Sequence, residues 1–386
     1  MVRWTTLFIA ACWLLGSSVA RLANASPAPA KPVTGPADAC LRCHEAARGA
    51  VSGPMATRSG ERDFARRAFG AGGDRFFAES CAGCHVTSCA DCHGHDPHRA
   101  GRPRDEACLR CHRGDSVGWE YGGRAPREDH VRYRRGATAE GEPFLKMLPD
   151  IHFERGLGCA DCHTMNSLQE GRRAAKSCRD CHSPLASTSP EHAIAGHLEK
   201  VACVTCHAAW ASQEYGTFLV RPANEEQKEA FAPLPAWGPW RKSAHLKRQD
   251  APPLGLDEKG LVSPIRPRFT LFVTDPEAGW ENRLVAAEWR AYAPHTVRRG
   301  SVACGGCHDN RRRFLLEKDA ERLYPLEKDG LPLRSYWSRV GQTLVNGSFF
   351  PPDRFERMNR RSPEYKRQVV ARWQKLLDHA APRSKR

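Results

Sequence analysis

The sequence predicts a mostly α and irregular fold of short helices, with minor β structure in an insert at residues 208–303. Three observations lead there. The chain has 386 residues, 28 prolines and 32 glycines, and a mean hydropathy of −0.59, which is low for a chain long enough to bury a large aliphatic core. Sixteen of its 17 cysteines fall in Cys-x-x-Cys pairs, and every pair is followed at once by histidine. Clear periodicity is confined to residues 266–274, which read as a strand, and 365–377, which read as a helix. Much of the interior must come from something other than aliphatic side chains.

The densest stretch is Cys81–His93, with Cys81, Cys84 and His85 followed three residues later by Cys89, Cys92 and His93. The same pentapeptide recurs as Cys40, Cys43, His44; Cys108, Cys111, His112; Cys159, Cys162, His163; Cys178, Cys181, His182; Cys203, Cys206, His207; and Cys304, Cys307, His308. Chance would give about 0.03 copies at these frequencies. Cys-x-x-Cys-His is the attachment signal for c-type haem: two thiols reach one porphyrin edge as thioethers and the histidine ligates the iron. A disulfide framework or zinc held by cysteine pairs would not require a histidine after every pair. The motifs thus predict eight covalent haems c, about one per 45 residues, and folding should depend on them.

Residues 1–25 read as a secretory signal, with Arg3, an apolar run Thr5–Leu15 and Ala23-Asn24-Ala25 as the cleavage site. The leftover Cys12 lies inside it, in a weak match to a lipoprotein box. Location is therefore expected to be periplasmic or at the cell surface. The formal charge of +15 suggests a nucleic-acid binder until the cofactors are counted. Loss of Arg3 and Arg21 leaves +13, and sixteen propionates bring about −16, so the loaded protein runs from about −3 with ferrous irons to about +5 with ferric. No nucleic-acid partner is expected. A basic patch for an acidic redox protein remains open.

In chain order, residues 26–207 form a haem-binding domain with motifs 1–7, 208–303 a haem-free insert supplying distal ligands, and 304–386 motif 8 with a helical tail. Nine histidines lie outside the motifs: His95, His98, His130, His152, His192, His197, His245, His295 and His379. Of these, His98, His130, His152, His192, His197, His245 and His295 are taken as distal iron ligands. His95 competes with His98, three residues away beside Pro97, and His379 is equally read as solvated. Met55 is a weaker ligand candidate, more simply a packed methionine. Spacing leaves open which histidine serves which iron. Trp237, Trp240, Trp280 and Trp289 can cover haem faces. Residues Arg311–Tyr324 look helical, and Ser362-Pro363 starts a second helix with Tyr365, Val369, Val370, Trp373, Leu376 and Leu377 on one packing face. Asn346-Gly-Ser matches a glycosylation site by coincidence.

The eight motifs resemble the multihaem c-type cytochromes, and their number resembles the octahaem members. The resemblance implies a haem-filled core and electron transfer, with a quinol-oxidising cytochrome or a terminal reductase as partner, and membrane-complex association open. Nine spare histidines nearly or fully meet the demand of eight irons, and paired imidazoles close iron to substrate, which favours a relay over an enzyme. The alternative is a reductase of a small oxyanion at one open haem. The motif count is similar to that of octahaem tetrathionate reductases and, weakly, the insert and tail to those of multihaem cytochromes from selenite/tellurite-reduction operons. The Cys-x-x-Cys-Lys of cytochrome c nitrite reductases is absent from the sequence, and no tyrosine stands out as the haem-linked one of hydroxylamine oxidoreductases. A filament subunit sharing a histidine such as His379 is a third reading.

Overall fold

The computed structural model describes residues 40–80, 86, 88–94, 101–112, 117–127, 137–139, 142–170, 175–185, 191–192, 194, 196–237, 239–318, 339, 341–360 and 363–380. The expected signal peptide, the motif Cys81, Cys84, His85, and His95, His98 and His130 lie outside them. The chain divides into two compact units, Met1–Arg113 with Leu157–Ser177, and Gly114–Gly156 with Cys178–Arg386. This division cuts across the block 26–207 expected to be one haem domain. Motifs 1–5 fall in the first unit and 6–8 in the second.

The first unit is helical. A 3-10 turn over Glu45–Val51 and a short turn over Pro54–Thr57 lead to helices α1 (Ser59–Phe69) and α2 (Gly73–Ser80). The chain reverses at Gly70, whose φ of 57° costs glycine little. A Cβ on Gly73 would lie 2.5 Å from the Ala65 carbonyl oxygen, so glycine lets the two helices touch. Phe64, Ala65 and Phe77 are buried there. Phe69 and Phe76 rings sit 4.3 Å apart, and the Arg62 guanidinium lies 4.8 Å over Phe77.

The second unit carries the strands. A small antiparallel sheet joins β1 (Arg124–Pro126), β2 (Thr138–Ala139) and β3 (Glu142–Lys146) in the order β1-β3-β2. The larger sheet uses β4 (Ala211–Val220), β5 (Ala236–Trp237), β6 (Trp240–Asp250), β7 (Leu254–Asp257), β8 (Val262–Asp275), β9 (Trp280–Ala291), β10 (Thr343–Leu344) and β11 (Gly347–Phe349). Its main path runs β10-β9-β8-β4-β6-β5, with β7 joining β11 to β8. Pairings β4–β8 and β9–β10 are parallel.

Minor β structure is thus an underestimate. The expected strand at 266–274 is the middle of β8, but β4 and β6 pair over most of their length without the alternation that announces a strand. Trp240–Asp250 is largely polar, and the pairing is carried by backbone hydrogen bonds. At Pro267, β8 has β9 as its only strand neighbour among the described residues, which is where a ladder tolerates a missing N–H. Gly216 sits at a bulge with φ of 151°, and a Cβ there would meet Phe272 at 2.7 Å.

Two apolar clusters hold the sheet to the C-terminal segment. Leu254, Leu256, Val262, Phe314, Phe350 and Phe355 form one, with Cys307 of motif 8 packed against it. Ile265, Trp289, Ala291, Leu315 and Leu344 form the other. Of the helix expected over Arg311–Tyr324, the described part is a 3-10 turn, Arg311–Phe314, ended by Leu315 at a φ of 54°, and residues 319–324 lie outside the described residues. Helices α3 (Pro352–Asn359) and α4 (Pro363–Ala380) come next. Helix α4 begins at Pro363 as its sequence predicts, yet Val370 and Leu377 are 66% and 59% exposed, so those two positions do not pack as expected. The Asn346 amide bonds both ways with the Ala291 backbone, a structural role for that residue. Among the described residues no helix is long and apolar enough to cross a membrane.

Trp289 is fully buried, and its indole N–H donates to Gln342 Oε1. Trp289→Ala should cost about 3–5 kcal/mol, read as a lower denaturant midpoint with the haem content unchanged.

Candidate functional site

Each described motif is one turn of helix. The histidine N–H donates to the first cysteine carbonyl at 2.9 Å in His44, 3.0 Å in His93, 2.9 Å in His112 and His163, and 2.8 Å in His182 and His308. Cys203–His207 is likewise helical. Residues three and four apart share a helix face, so both sulfurs and the imidazole point the same way. Local capping explains why these short turns form. Asp91 accepts the Ser88 N–H at 2.8 Å and Asp161 the Gly158 N–H at 2.7 Å, each from inside its motif. The Gly158 N–H and then Arg102, 3.0 Å away, hold Asp161 below the usual carboxylate range. Asp105 caps the Cys159 N–H at 2.8 Å. Among the described residues, the motif cysteines are in no disulfide, and no group of three or more His, Cys, Asp or Glu is placed to hold a metal ion.

Three motif histidines of the second unit each face one of the spare histidines. Ring centroids are 6.0 Å apart for His152–His182, 6.0 Å for His192–His207 and 6.2 Å for His197–His308. These gaps are too wide for stacking contact. Two metal–imidazole bonds of about 2.0–2.1 Å, plus roughly 1.1 Å from each nitrogen to its ring centre, would give about 6.3 Å. The residues therefore fit an iron between each pair, with the porphyrin edge held by the adjoining thiols.

Orientation comes from the other ring nitrogen. His207 Nδ1 donates to the Gly300 carbonyl at 2.8 Å, and His93 Nδ1 to that of Gly101 at 3.1 Å. His152 Nδ1 lies 2.8 Å from Asp150 Oδ1. A carbonyl can only accept, so in His207 and His93 the proton is on Nδ1 and Nε2 is left for a metal. Burial pushes the imidazoles of His112, His163 and His197 down in pKa, with the Arg58 charge adding to it at His112. The neutral ring is the ligating form.

Thiols of different motifs also meet. Cys108 is held down to about 7 by its hydrogen bond with Cys159, which is pushed up by the same bond and by burial. Cys203 is brought to about 6 by Cys178. Burial and then the neighbouring Cys307 raise Cys206 to about 11. Burial, then Cys40, raises Cys89, and burial, then Cys108, raises Cys92. As thioethers these sulfurs would not titrate, so the contacts are what carries over. They string motifs 1, 3, 4 and 5 together in the first unit and 6, 7 and 8 in the second.

Of the other expected ligands, His245 lies on β6 and His379 on α4, and His98 and His130 lie outside the described residues. His295 is half-buried just after β9, its backbone N–H 3.4 Å from Glu120 Oε2, and it is not the partner in any of the three histidine pairs. The Met55 carbonyl accepts the Val86 N–H at 3.1 Å, which ties its backbone to the residue after His85. Asp150 escaped the sequence reading. It is 2% exposed, accepts the N–H groups of His152 at 2.9 Å and Val297 at 2.7 Å, and orients the His152 ring. Its place two residues before a histidine, as a helix cap, was the available signal.

Motif turns of this kind, bearing paired thiols and facing imidazoles, fit a multihaem c-type cytochrome. Residues 151–217, which hold His152, His192, His197 and motifs 5–7, match the family model Cytochrome c3, and this match supports a multihaem electron-transfer cytochrome with covalent haem c. No curated protein and no solved structure matches the chain.

Asp150→Ala strands the half-buried backbone N–H groups of His152 and Val297. It should cost about 1–3 kcal/mol, measured by denaturant unfolding of the loaded protein, with Asp150→Asn nearer the wild type.

Proposed function

We propose that this chain is an exported octahaem c-type cytochrome that relays electrons between redox partners. The observation that carries the reading is the set of three histidine pairs at 6.0–6.2 Å. Covalently bound haem supplies reversible one-electron chemistry. His182 and His152 would close the two axial positions of the sixth haem, His207 and His192 those of the seventh, and His308 and His197 those of the eighth. Closed axial positions exclude substrate and water and leave outer-sphere transfer as the available reaction. Thiol contacts support close attachment edges along motifs 6, 7 and 8, and along 1, 3, 4 and 5. Export, a periplasmic or surface location, and a quinol-oxidising cytochrome or terminal reductase as partner belong to the same reading.

A second reading, an oxyanion reductase, gains support from the ligand count by unit. Met1–Arg113 with Leu157–Ser177 contains five motifs but only His95 and His98 besides their own histidines. Even with both of these bound, three of those irons cannot draw a histidine from their own unit. An open iron, if the protein has one, belongs there.

Two measurements decide. Iron and haem analysis of the wild type should give eight covalent haems, all low-spin by electron paramagnetic resonance under the relay reading. A high-spin signal that moves with nitrite, sulfite or cyanide would support the reductase instead. His192→Ala and His197→Ala should each convert one of eight haems to a form that binds carbon monoxide when reduced. Unchanged low-spin spectra in both variants would defeat the pairing.

A further inference from the structure

Residues 311–313 are three consecutive arginines, and a charge run is ordinarily a solvated face. Here Arg311 and Arg312 are exposed while Arg313 is 7% exposed. Its backbone is fixed by Asn310, whose side chain accepts the Arg313 N–H at 3.1 Å. Its guanidinium is fixed by two carbonyls: Nε donates to Pro252 O at 2.9 Å and Nη1 to Gly306 O at 3.1 Å. Gly306 lies between the two cysteines of motif 8. A Cβ there would stand in ordinary contact, 3.5 Å from Nη1 and 3.4 Å from the Val302 Cβ, so the guanidinium lies against the motif turn. Val302 in turn donates its N–H to Cys206 O at 2.9 Å, in motif 7. The guanidinium thus belongs to a packed run that joins the seventh and eighth attachment turns. The Arg313 charge reaches the sulfurs of both Cys206 and Cys307. Glu191 acts on Cys206 in the other sense and more weakly.

Burying a guanidinium is costly, and two carbonyl hydrogen bonds could have been made by a neutral donor. What arginine adds is a charge that persists at any pH the protein meets. We propose that Arg313 sets the reduction potentials of the haems attached at Cys203–Cys206 and Cys304–Cys307, by holding a permanent positive charge beside both attachment edges. The inference rests on the relay reading. Reduction removes one positive charge from an iron site, so a nearby cation favours the reduced state, the more so where water is excluded. Arg313 is a positioning residue of the relay. It makes the seventh and eighth sites easier to reduce than their burial and ligands alone would.

The test is a spectroelectrochemical titration of the full-length loaded protein, with paramagnetic resonance following individual haems. The wild type is counted first: a protein without covalent haem would end the relay reading before Arg313 is addressed. In Arg313→Gln, which keeps donors for both carbonyls, two of the eight potentials should shift downward and six should stay. Arg313→Lys keeps the charge and should restore both. Eight unmoved potentials in Arg313→Gln, or a fall in Arg313→Lys as large as in Arg313→Gln, would overturn the assignment. Should Arg313→Gln fail to load eight haems, Arg313→Met serves as the neutral variant: two lowered potentials uphold the role of charge, and eight unmoved ones refute it.

Discussion

A hydrogen bond from the histidine N–H to the first cysteine carbonyl closes each described motif into a single helical turn, and the rest of the molecule depends on that closure. Spacing of three and four residues then puts two sulfurs and an imidazole on one side. A turn this short has no stability of its own. It is held by caps such as Asp91, Asp105 and Asp161, and by the groups its face meets. The two units meet that need differently. Helices α1 and α2 accompany the motifs of the first, whereas a sheet and two aromatic clusters back those of the second.

The sheet explains how a chain so poor in aliphatic periodicity still fixes motif 8. Cys307 packs against the cluster of Leu254, Phe314, Phe350 and Phe355, drawn from β7, the turn after the motif, and the start of α3. The strands are a support placed beside the attachment turns. Glu120 shows the same logic beside β4: it is fully buried and receives the backbone N–H groups of Ser212 at 3.0 Å and His295 at 3.4 Å. Buried polar groups with fixed partners specify one arrangement where apolar packing alone would be permissive.

The motif turns were legible because their signal is local: Cys-x-x-Cys-His is contiguous in sequence, and each described copy closes as one helical turn. The start of α4 was legible for the same reason, since Pro363 at a first turn is a local signal. Histidine partnership was not. His152 precedes motif 5 and His197 precedes motif 7, yet they face His182 of motif 6 and His308 of motif 8. Only the tertiary path sets those pairs. Strands β4 and β6 were missed because their pairing is backbone-driven and their sequences are polar. The packing face drawn for α4 failed at Val370 and Leu377 because an apolar stripe does not say what covers it.

The three imidazole pairs also constrain the unfolded chain. Once bridged by metal, His192–His207, His152–His182 and His197–His308 become cross-links, closing loops whose ends differ by 15, 30 and 111 positions in the numbering. A longer loop forbids more conformations, though only logarithmically. The widest bridge would restrict the disordered ensemble by about 1.8 kcal/mol more than the narrowest. The clasp at His197 and His308, which ties chain on both sides of the sheet segment in sequence, would thus double as the strongest knot against unravelling.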